Sequence, residues 1–464
     1  MPHQTPPTPF TQHLFGPRTP DSVEQMSAFF QQHGIEQVEC ILPDISGYPR
    51  GKLMPAQSFL RGSELRICQA IPMQAVTGDY SYNPVFPDAD PDVRMRPDDA
   101  TLCLAPWASS ARAVAIHDCL ELNGELCQFA PRSILKRVVA SYTELGLMPV
   151  VAPEIEFYLT AANADPTQAL RAPAVRGGRA EVGQSAFSLN MLNELAPFWD
   201  EFRAALKTLG IVADTWLHEV GPSQYEINLL HGDPVVVADQ AFLFKYAAKE
   251  LALKHGLNAV FMAKPIAGAS GSSMHLHQSV VDLQGTNIFS QQDGAESAAF
   301  QHFIGGLQHY GPELMLMFAP NINSYRRYVS GSQAPVNLQW GYDNRTTGLR
   351  IPASPPVSRR VENRVAGADA NPYLAIAASL AAGLAGIREQ LQPSCPLTSN
   401  GYNQSHSLPR NLQDALQLMQ RSTHARQAFG DDFVTGYCAV KSLEFESFLS
   451  EVSAWERRFL LPQV

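Results

Sequence analysis

Apolar residues recur along this chain with two periods, and the changes of period mark its organisation. Between Ser22 and Gly34, Val23, Met26 and Phe30 fall on one side of a 3.6-residue turn, and Ser22 and Gln25 stand at capping-box spacing. These residues predict a helix that Gly34 ends. The run Ile35 to Leu42 reads as a strand. From there to about Cys127 short strands alternate with loops, and Pro84, Pro87, Pro91 and Pro97 break one long polar stretch. Pro131-Arg132-Ser133 opens a second helix, with Leu135, Val138, Val139 and Leu145 at helical spacing and Gly146 closing it. Helices and strands are expected to alternate thereafter. The longest apolar stretch, Tyr373 to Ile387, is rich in alanine and glycine, is interrupted by Ser379 and follows the turn-like Ala-Asn371-Pro372. It predicts a buried helix, not a membrane span. The expected organisation is a loose arm over residues 1–22, a small mixed domain over 23–128 and a larger domain over 129–464, with no internal repeat.

At 464 residues the chain can bury a substantial core. Its 45% hydrophobic and 17% charged residues are ordinary for a soluble globular protein. A net charge of −10 argues against a nucleic-acid partner and mildly favours a cationic one, although it also suits a plain cytoplasmic surface. The 7 cysteines (Cys40, Cys68, Cys103, Cys119, Cys127, Cys395 and Cys438) form no Cys-x-x-Cys pair, so they are expected reduced and mostly packed, as in a cytoplasmic protein. The start, Met1 to Pro9, lacks the basic and apolar regions of a signal peptide, and its prolines suggest an extended arm.

Ionisable residues gather in a few segments. Val150 to Leu159 reads as a strand on which Glu154 and Glu156 share a face. Carboxylates so placed repel unless a cation lies between them; a solvated face is the alternative, and Phe157 and Tyr158 speak against full exposure. In His218-Glu219-Val-Gly-Pro-Ser-Gln-Tyr-Glu226 a Gly-Pro turn can bring Glu219 near Glu226, or merely close a charged hairpin. Gly271-Ser-Ser-Met-His275-Leu-His277-Gln-Ser279 joins a small-residue loop to a strand whose His275, His277 and Ser279 share a face. One histidine there can ligate metal while its neighbours meet a nucleotide. Arg326, Arg327, Arg345, Arg350, Arg359, Arg360 and Arg364 cluster around Glu362. The planar guanidinium fork suits carboxylate and phosphate, so the cluster reads as an anion-binding loop. Glu154, Glu156, Glu219, Glu226, His275 and Glu362 together would make an oxygen-rich site suited to Mg²⁺ or Mn²⁺ more than Zn²⁺. Such sites usually neutralise phosphate oxygens, which points to an ATP-using enzyme.

Taken together, Glu154-Ile-Glu156-Phe, His218-Glu219-Val through Gln224-Tyr-Glu226, Lys264-Pro265 through Met274-His275-Leu-His277, Asn323-Ser-Tyr-Arg-Arg327, Asn344-Arg345 through Arg350-Ile-Pro352, and Arg360-Val-Glu362-Asn-Arg364 through Asn371-Pro372-Tyr373 resemble the glutamine synthetase family, in its order. The resemblance runs from about residue 25 to the end. It implies an α+β chain with an N-terminal β-grasp domain and a catalytic domain of antiparallel sheet with helices. It also implies two stacked hexameric rings, a dodecamer, with active sites between subunits. By motif match one metal would be held by Glu156, Glu219 and Glu226, and a second by Glu154, His275 and Glu362. Glutamate would be gripped by Arg327 and Arg364, with Gly271 offering backbone contacts. Arg345 and Arg350 would face phosphates, and His277, Ser279 and Arg360 would lie near ATP, with Arg345, Glu362 and Arg364 taking part in catalysis. The implied chemistry is two-step: the glutamate γ-carboxylate takes the γ-phosphoryl group of ATP, then an amine nitrogen displaces phosphate.

The departures from the family are informative. Ammonia-using members carry a flap glutamate in Pro-Gly-x-Glu-Ala-Pro, where this chain reads Ser330-Gly-Ser-Gln333-Ala-Pro335. Gln333 is neutral and can neither pair with ammonium nor act as a base. The Phe-Asp-x-Ser-Ser latch of the N-terminal domain is replaced by Cys68-Gln-Ala-Ile-Pro-Met73. Ser270 stands for an asparagine and Val357 for a lysine. The ammonia site is altered twice while every implied metal ligand is kept. Leu443-Glu444 through Val452-Ser-Ala-Trp455-Glu456-Arg457 is similar to glutamate–polyamine ligases. The expectation is therefore ligation of glutamate to a primary amine such as putrescine or spermidine. The alternatives are a monoamine such as methylamine or ethanolamine, ammonia itself, or a non-catalytic structural relative. Glu64, Asp79 and Tyr80 are the amine-pocket candidates, because the N-terminal domain faces the neighbouring site in this family.

Overall fold

The computed structural model describes residues 18–81, 85–86 and 88–464; the expected arm up to residue 17, and Pro84 and Pro87, lie outside them. The first helix is Pro20–His33. Its capping box lies three residues earlier than Ser22 and Gln25 suggest. Thr19 accepts from Ser22 N at 3.1 Å, and Ser22 Oγ accepts from Thr19 N at 2.7 Å. Pro20 decides the matter, because proline is pre-set for the first helical position and its missing N–H costs nothing there. Residues 20–22 thus belong to the helix and not to an arm, and Arg18 pairs with the buried Asp99 at 2.8 Å. Gly34, at φ 62°, ends the helix as expected.

Six strands follow: β1 (Gln37–Pro43), β2 (Pro49–Pro55), β3 (Leu65–Cys68), β4 (Asp92–Pro97), β5 (Cys103–Leu104) and β6 (Arg112–Leu120). They form one sheet in the order β2-β1-β6-β4-β3, with β5 on β6. β1 and β6 pair parallel at its centre, and their near-continuous burial matches the apolar runs that parallel strands require. Pro91 and Pro97 flank or end β4, positions that need no ladder N–H. The helix Pro131–Thr143 then begins as expected but stops before Leu145, which is exposed.

The second sheet holds eight strands: β7 (Leu147–Ala161), β8 (Ala213–His218), β9 (Gln224–Leu229), β10 (Leu257–Val260), β11 (Met274–Asp282), β12 (Trp340–Tyr342), β13 (Leu349–Ile351) and β14 (Val361–Asn363). Its order is β12-β13-β14-β11-β7-β9-β8, with β10 on β7, and all pairings except β12 with β13 are antiparallel. Among the described residues the chain is a mixed α+β protein of two sheets.

Alternation of helix and strand stops at Asn371, contrary to expectation, and every named element after it other than one short 3₁₀ turn is an α-helix. Asn371 caps Pro372–Glu389 by accepting from Tyr373 N and Leu374 N. That helix is buried almost throughout, and its small residues permit close crossing of the helix Ala298–Tyr310. A Cβ on Gly306 would come 2.2 Å from the Ala382 carbonyl oxygen. Among the described residues no helix is long and apolar enough to cross a membrane. Buried Arg132 ties the first sheet to the helix Pro234–Lys254, pairing at 2.6–2.7 Å with Asp98 and Asp118 on one side and with Asp239 of that helix on the other.

Candidate active site

Strand register builds the site. Across the second sheet, Arg350 stands opposite Glu362, Glu362 opposite His277, His275 opposite Glu154, and Glu156 opposite Glu226. Residues opposed in register point to the same face, and the period of two puts Glu154 with Glu156 and His275 with His277. A single row of ionisable side chains therefore crosses β13, β14, β11, β7 and β9. Glu219 joins it from just beyond β8.

The row divides into two lobes. In the first, Glu154 Oε2 lies 3.2 Å from His275 Nδ1 and Glu154 Oε1 lies 2.7 Å from His277 Nε2. Glu362, 1% exposed, is bonded by Arg364 Nη1 at 2.5 Å and Arg350 Nη1 at 2.6 Å. Burial works against ionisation of Glu362, but Arg364 chiefly and then the histidines hold its carboxyl down at about 2. Glu154 is likewise held low, because the hydrogen bonds of His275 and His277 outweigh its burial. Burial, followed by the Arg364 charge, lowers His275 to about 4 and keeps its imidazole neutral, the ligating form.

In the second lobe, Glu156, Glu219 and Glu226 bring oxygens within 4.8 Å of one another. Ser273 supports Glu156 with its N–H at 2.8 Å and its hydroxyl at 2.6 Å. Among the described residues no cation pairs with these three carboxylates within 4.0 Å. Burial first, then mutual repulsion, pushes Glu156 up to about 7 and Glu226 up to about 10, and burial also raises Glu219. Such a set is short of positive charge, and its hard oxygens fit a divalent cation. Glu226 also lies within the same reach of Glu154 and His275, and Glu154 of His277 and Glu362, so adjacent cations can share ligands.

Beside the row lie two buried arginines. Arg327 Nη2 donates to the carbonyls of Arg364, Val365 and Ala366 at 2.8–3.1 Å, while its Nε and Nη1 and the Nε of Arg364 are buried without an acceptor. Unpartnered guanidinium donors of this kind suit a carboxylate. Gly271 packs on Arg327: a Cβ there would meet Arg327 Cγ at 2.7 Å. Arg364 also reaches the Gln333 carbonyl at 3.4 Å, and Gln333 holds a φ of 63°, a left-handed conformation that strains a non-glycine residue.

The remaining residues scatter in role. Arg360 Nε bonds His277 Nδ1 at 3.1 Å, while the other ring nitrogen, on Glu154, makes His277 part of the first lobe. Arg350 is committed to Glu362 and Asp343, while Arg345 is exposed and near enough to Glu219 to stabilise its charge. Ser279 lies further along β11, opposite Val150. Arg359 is spent on the carbonyls of Phe289, Gly294 and Ala295 and does not join the anion cluster. Glu64 pairs with Arg66 and Arg94, and Asp79 accepts from Thr77. Sequence reasoning missed Ser273, Asn228 at 3.3 Å from Glu154, and Gln224, whose amide reaches Gly271 O at 2.9 Å. Ser273 left a signal in its place beside the Gly271 loop and Gln224 in its place two residues before Glu226, while Asn228 left none.

A lobe of clustered carboxylates, a lobe balanced by arginine and histidine, and buried guanidinium donors beside both suit anionic substrates and a divalent cation. The chain belongs to the glutamine synthetase family: the family model for the "Glutamine synthetase, catalytic domain" matches residues 128–460. Over 445 residues it is 36% identical to a glutamate–isopropylamine ligase of a Pseudomonas species, covering 92% of this chain and 95% of that one. It is 34% identical over 429 residues to the γ-glutamylputrescine synthetase of Escherichia coli K12, covering 90% of each. The glutamine synthetase of Pyrococcus abyssi is 34% identical over 427 residues, covering 90% and 92%. A solved GmaS–ADP complex superposes with a TM-score of 0.81 at 28% identity, covering 94% of this chain and 99% of that one. The chain is an enzyme, an ATP-dependent ligase of the glutamate–amine type.

Proposed function

We propose that the chain joins the γ-carboxylate of glutamate to the nitrogen of a primary amine larger than ammonia, a polyamine such as putrescine or spermidine first. The observation that carries this reading is Gln333. It lies within reach of Arg364 through its carbonyl, where ammonia-using relatives place an ionisable glutamate, and a neutral amide cannot hold ammonium or take its proton. The net charge of −10 also suits a cationic acceptor. A second reading, a small monoamine, is favoured by the 36% identity to an isopropylamine ligase.

In this reading Arg327 and Arg364 orient glutamate through their free donors, and Gly271 leaves room for it. Glu156, Glu219 and Glu226 would hold one Mg²⁺ or Mn²⁺, and Glu154, His275 and Glu362 a second, with Glu226 and His277 also within reach of Glu154 beside it. Divalent cations bound there supply charge neutralisation to the phosphates of ATP. His277, Ser279, Arg350 and Arg360 face the nucleotide, and Arg345 the transferred phosphoryl group. Arg350 gives three of its five N–H donors to Asp343 and Glu362 and would meet phosphate with the other two. The γ-carboxylate oxygen takes the γ-phosphoryl group and ADP leaves; the amine nitrogen then attacks the acyl carbon, phosphate leaves, and a proton is lost from nitrogen. Fixed charge and positioning carry most of this chemistry. We further propose that the active subunits assemble as a dodecamer of two hexameric rings. The test is phosphate release and amide formation with ATP and glutamate against ammonium, methylamine, isopropylamine, ethanolamine, putrescine and spermidine. Turnover with di- or polyamines and little with ammonium supports the first reading. Turnover with monoamines alone replaces it with the second, and ammonium alone overturns both.

A further inference from the structure

We propose that Glu181, which lies outside the carboxylate row, is a positioning residue that fixes Glu219 within it. The inference rests on the reading that Glu156, Glu219 and Glu226 bind a divalent cation. Those three residues are not held alike. Glu156 and Glu226 sit in β7 and β9, directly opposed and locked by the ladder. Glu219 lies in the turn between β8 and β9, where its own N–H bonds Gln224 O at 2.8 Å and its Oε2 accepts from Val220 N at 2.9 Å. Its place depends on that turn.

β7 and the Gly271 loop hold the end of the turn, through Leu159 N on Ser223 O at 3.0 Å and the Gln224 amide on Gly271 O at 2.9 Å. One carboxylate from a separate segment holds it at both Ser223 and His218. Glu181 Oε2 accepts from Ser223 N at 2.7 Å and lies 3.1 Å from His218 Nε2. The other ring nitrogen of His218, Nδ1, bonds the Glu219 carbonyl at 2.7 Å. Glu181, His218 and the Glu219 backbone thus form one chain of contacts. The His218 side chain is fully buried and that of Glu181 is 7% exposed. Glu181 is delivered by a small hairpin in which Ala174 bridges Ala180 and Gly178 turns at φ 75°. The same segment docks a second time, where Phe187 N donates to His218 O at 2.8 Å. Ser223 at φ 57° and Phe187 at φ 61° are left-handed non-glycine residues at this contact, and such conformations persist only where their surroundings hold them. Groups that orient ligands from behind in this way typically change metal affinity 10- to 100-fold when removed.

The experiment titrates the full-length protein with Mn²⁺ alone, following free Mn²⁺ by electron paramagnetic resonance and folding by circular dichroism. Glu181→Ala is expected to weaken one Mn²⁺ binding step by about 10- to 100-fold and leave the other within about threefold. Glu181→Gln, which keeps an accepting oxygen, is expected to weaken the same step less. Should Glu181→Ala not fold, Glu181→Gln carries the test by the same criterion of one weakened step. Two unchanged steps would overturn the inference, as would equal weakening of both, which signals general loosening. A wild-type protein that binds no Mn²⁺ would instead sink the metal reading itself, and the inference with it.

Discussion

The two lobes of the carboxylate row lie side by side on one sheet and have opposite electrostatics. In the lobe of Glu154 and Glu362, the protein supplies its own positive partners: Arg350, Arg364 and the hydrogen bonds of His275 and His277. In the lobe of Glu156, Glu219 and Glu226 no cation of the described residues comes within 4.0 Å, Arg345 and Arg327 act only from further off, and two of the carboxyls are pushed up to about 7 and about 10. The first lobe can fold without metal at little electrostatic cost. The second stores repulsion that protons or a cation must relieve. The difference assigns the stronger demand for metal to Glu156, Glu219 and Glu226.

The largest expected effect comes from emptying the balanced lobe. Glu362→Ala leaves the buried Arg364 facing no carboxylate and Arg350 with Asp343 alone, and breaking a buried pair costs about 3–5 kcal/mol. Its melting temperature should fall clearly, and phosphate release should vanish with any amine. Near-normal rates would break the comparison. The crowded lobe should respond in the other direction. Glu226→Gln puts a permanently neutral group where folding otherwise has to take up a proton, so the metal-free protein should melt higher than wild type while losing most of its stabilisation by Mn²⁺. For an intact site that stabilisation is about 2.7 kcal/mol at a hundredfold excess over Kd. A lower metal-free melting temperature for this variant would contradict the repulsion argument.

Acidity separates the lobes next. Glu156 and Glu226 have folded values above the ordinary 4.5, so the fold holds protons that the unfolded chain has released. Their contribution to stability is complete below about pH 4.5 and is lost as pH rises through about 7 for Glu156 and about 10 for Glu226. Glu362, held at about 2, contributes fully above pH 4.5 and loses its contribution as pH falls through about 2. Metal-free protein should therefore lose melting temperature between about pH 5 and 8, and saturating Mn²⁺ should flatten that slope. A metal-free profile that rises over this range would reverse the assignment of the lobes. The smallest change leaves both lobes intact: Gln333→Glu should shift the ratio of ammonium to diamine turnover towards ammonium by about tenfold, or 1.4 kcal/mol. An unchanged ratio, measured by phosphate release, would count against the part given to Gln333.

Much of this molecule was written in short-range pattern. The period of two placed Glu154 with Glu156 and His275 with His277, and the Gly-Pro turn brought Glu219 back to Glu226. Asn371-Pro372 announced the buried helix that follows it. Pattern misled at two scales: Pro20 drew the first cap to Thr19 and Leu145 fell beyond its helix, while the expected alternation failed after Asn371 and Arg359 turned to carbonyls instead of the anion cluster. The division of the row into two unlike lobes was not legible. It depends on which strands lie beside one another, and hence on Arg350 opposing Glu362 across β13 and β14 while nothing cationic opposes Glu226. Nor could sequence spacing find Glu181, 42 residues from the Ser223 amide that it holds. Residue types and periods fix which side chains share a face. Strand order and register fix which charges meet, and burial then decides how strongly, because only in the folded chain is water removed from between them.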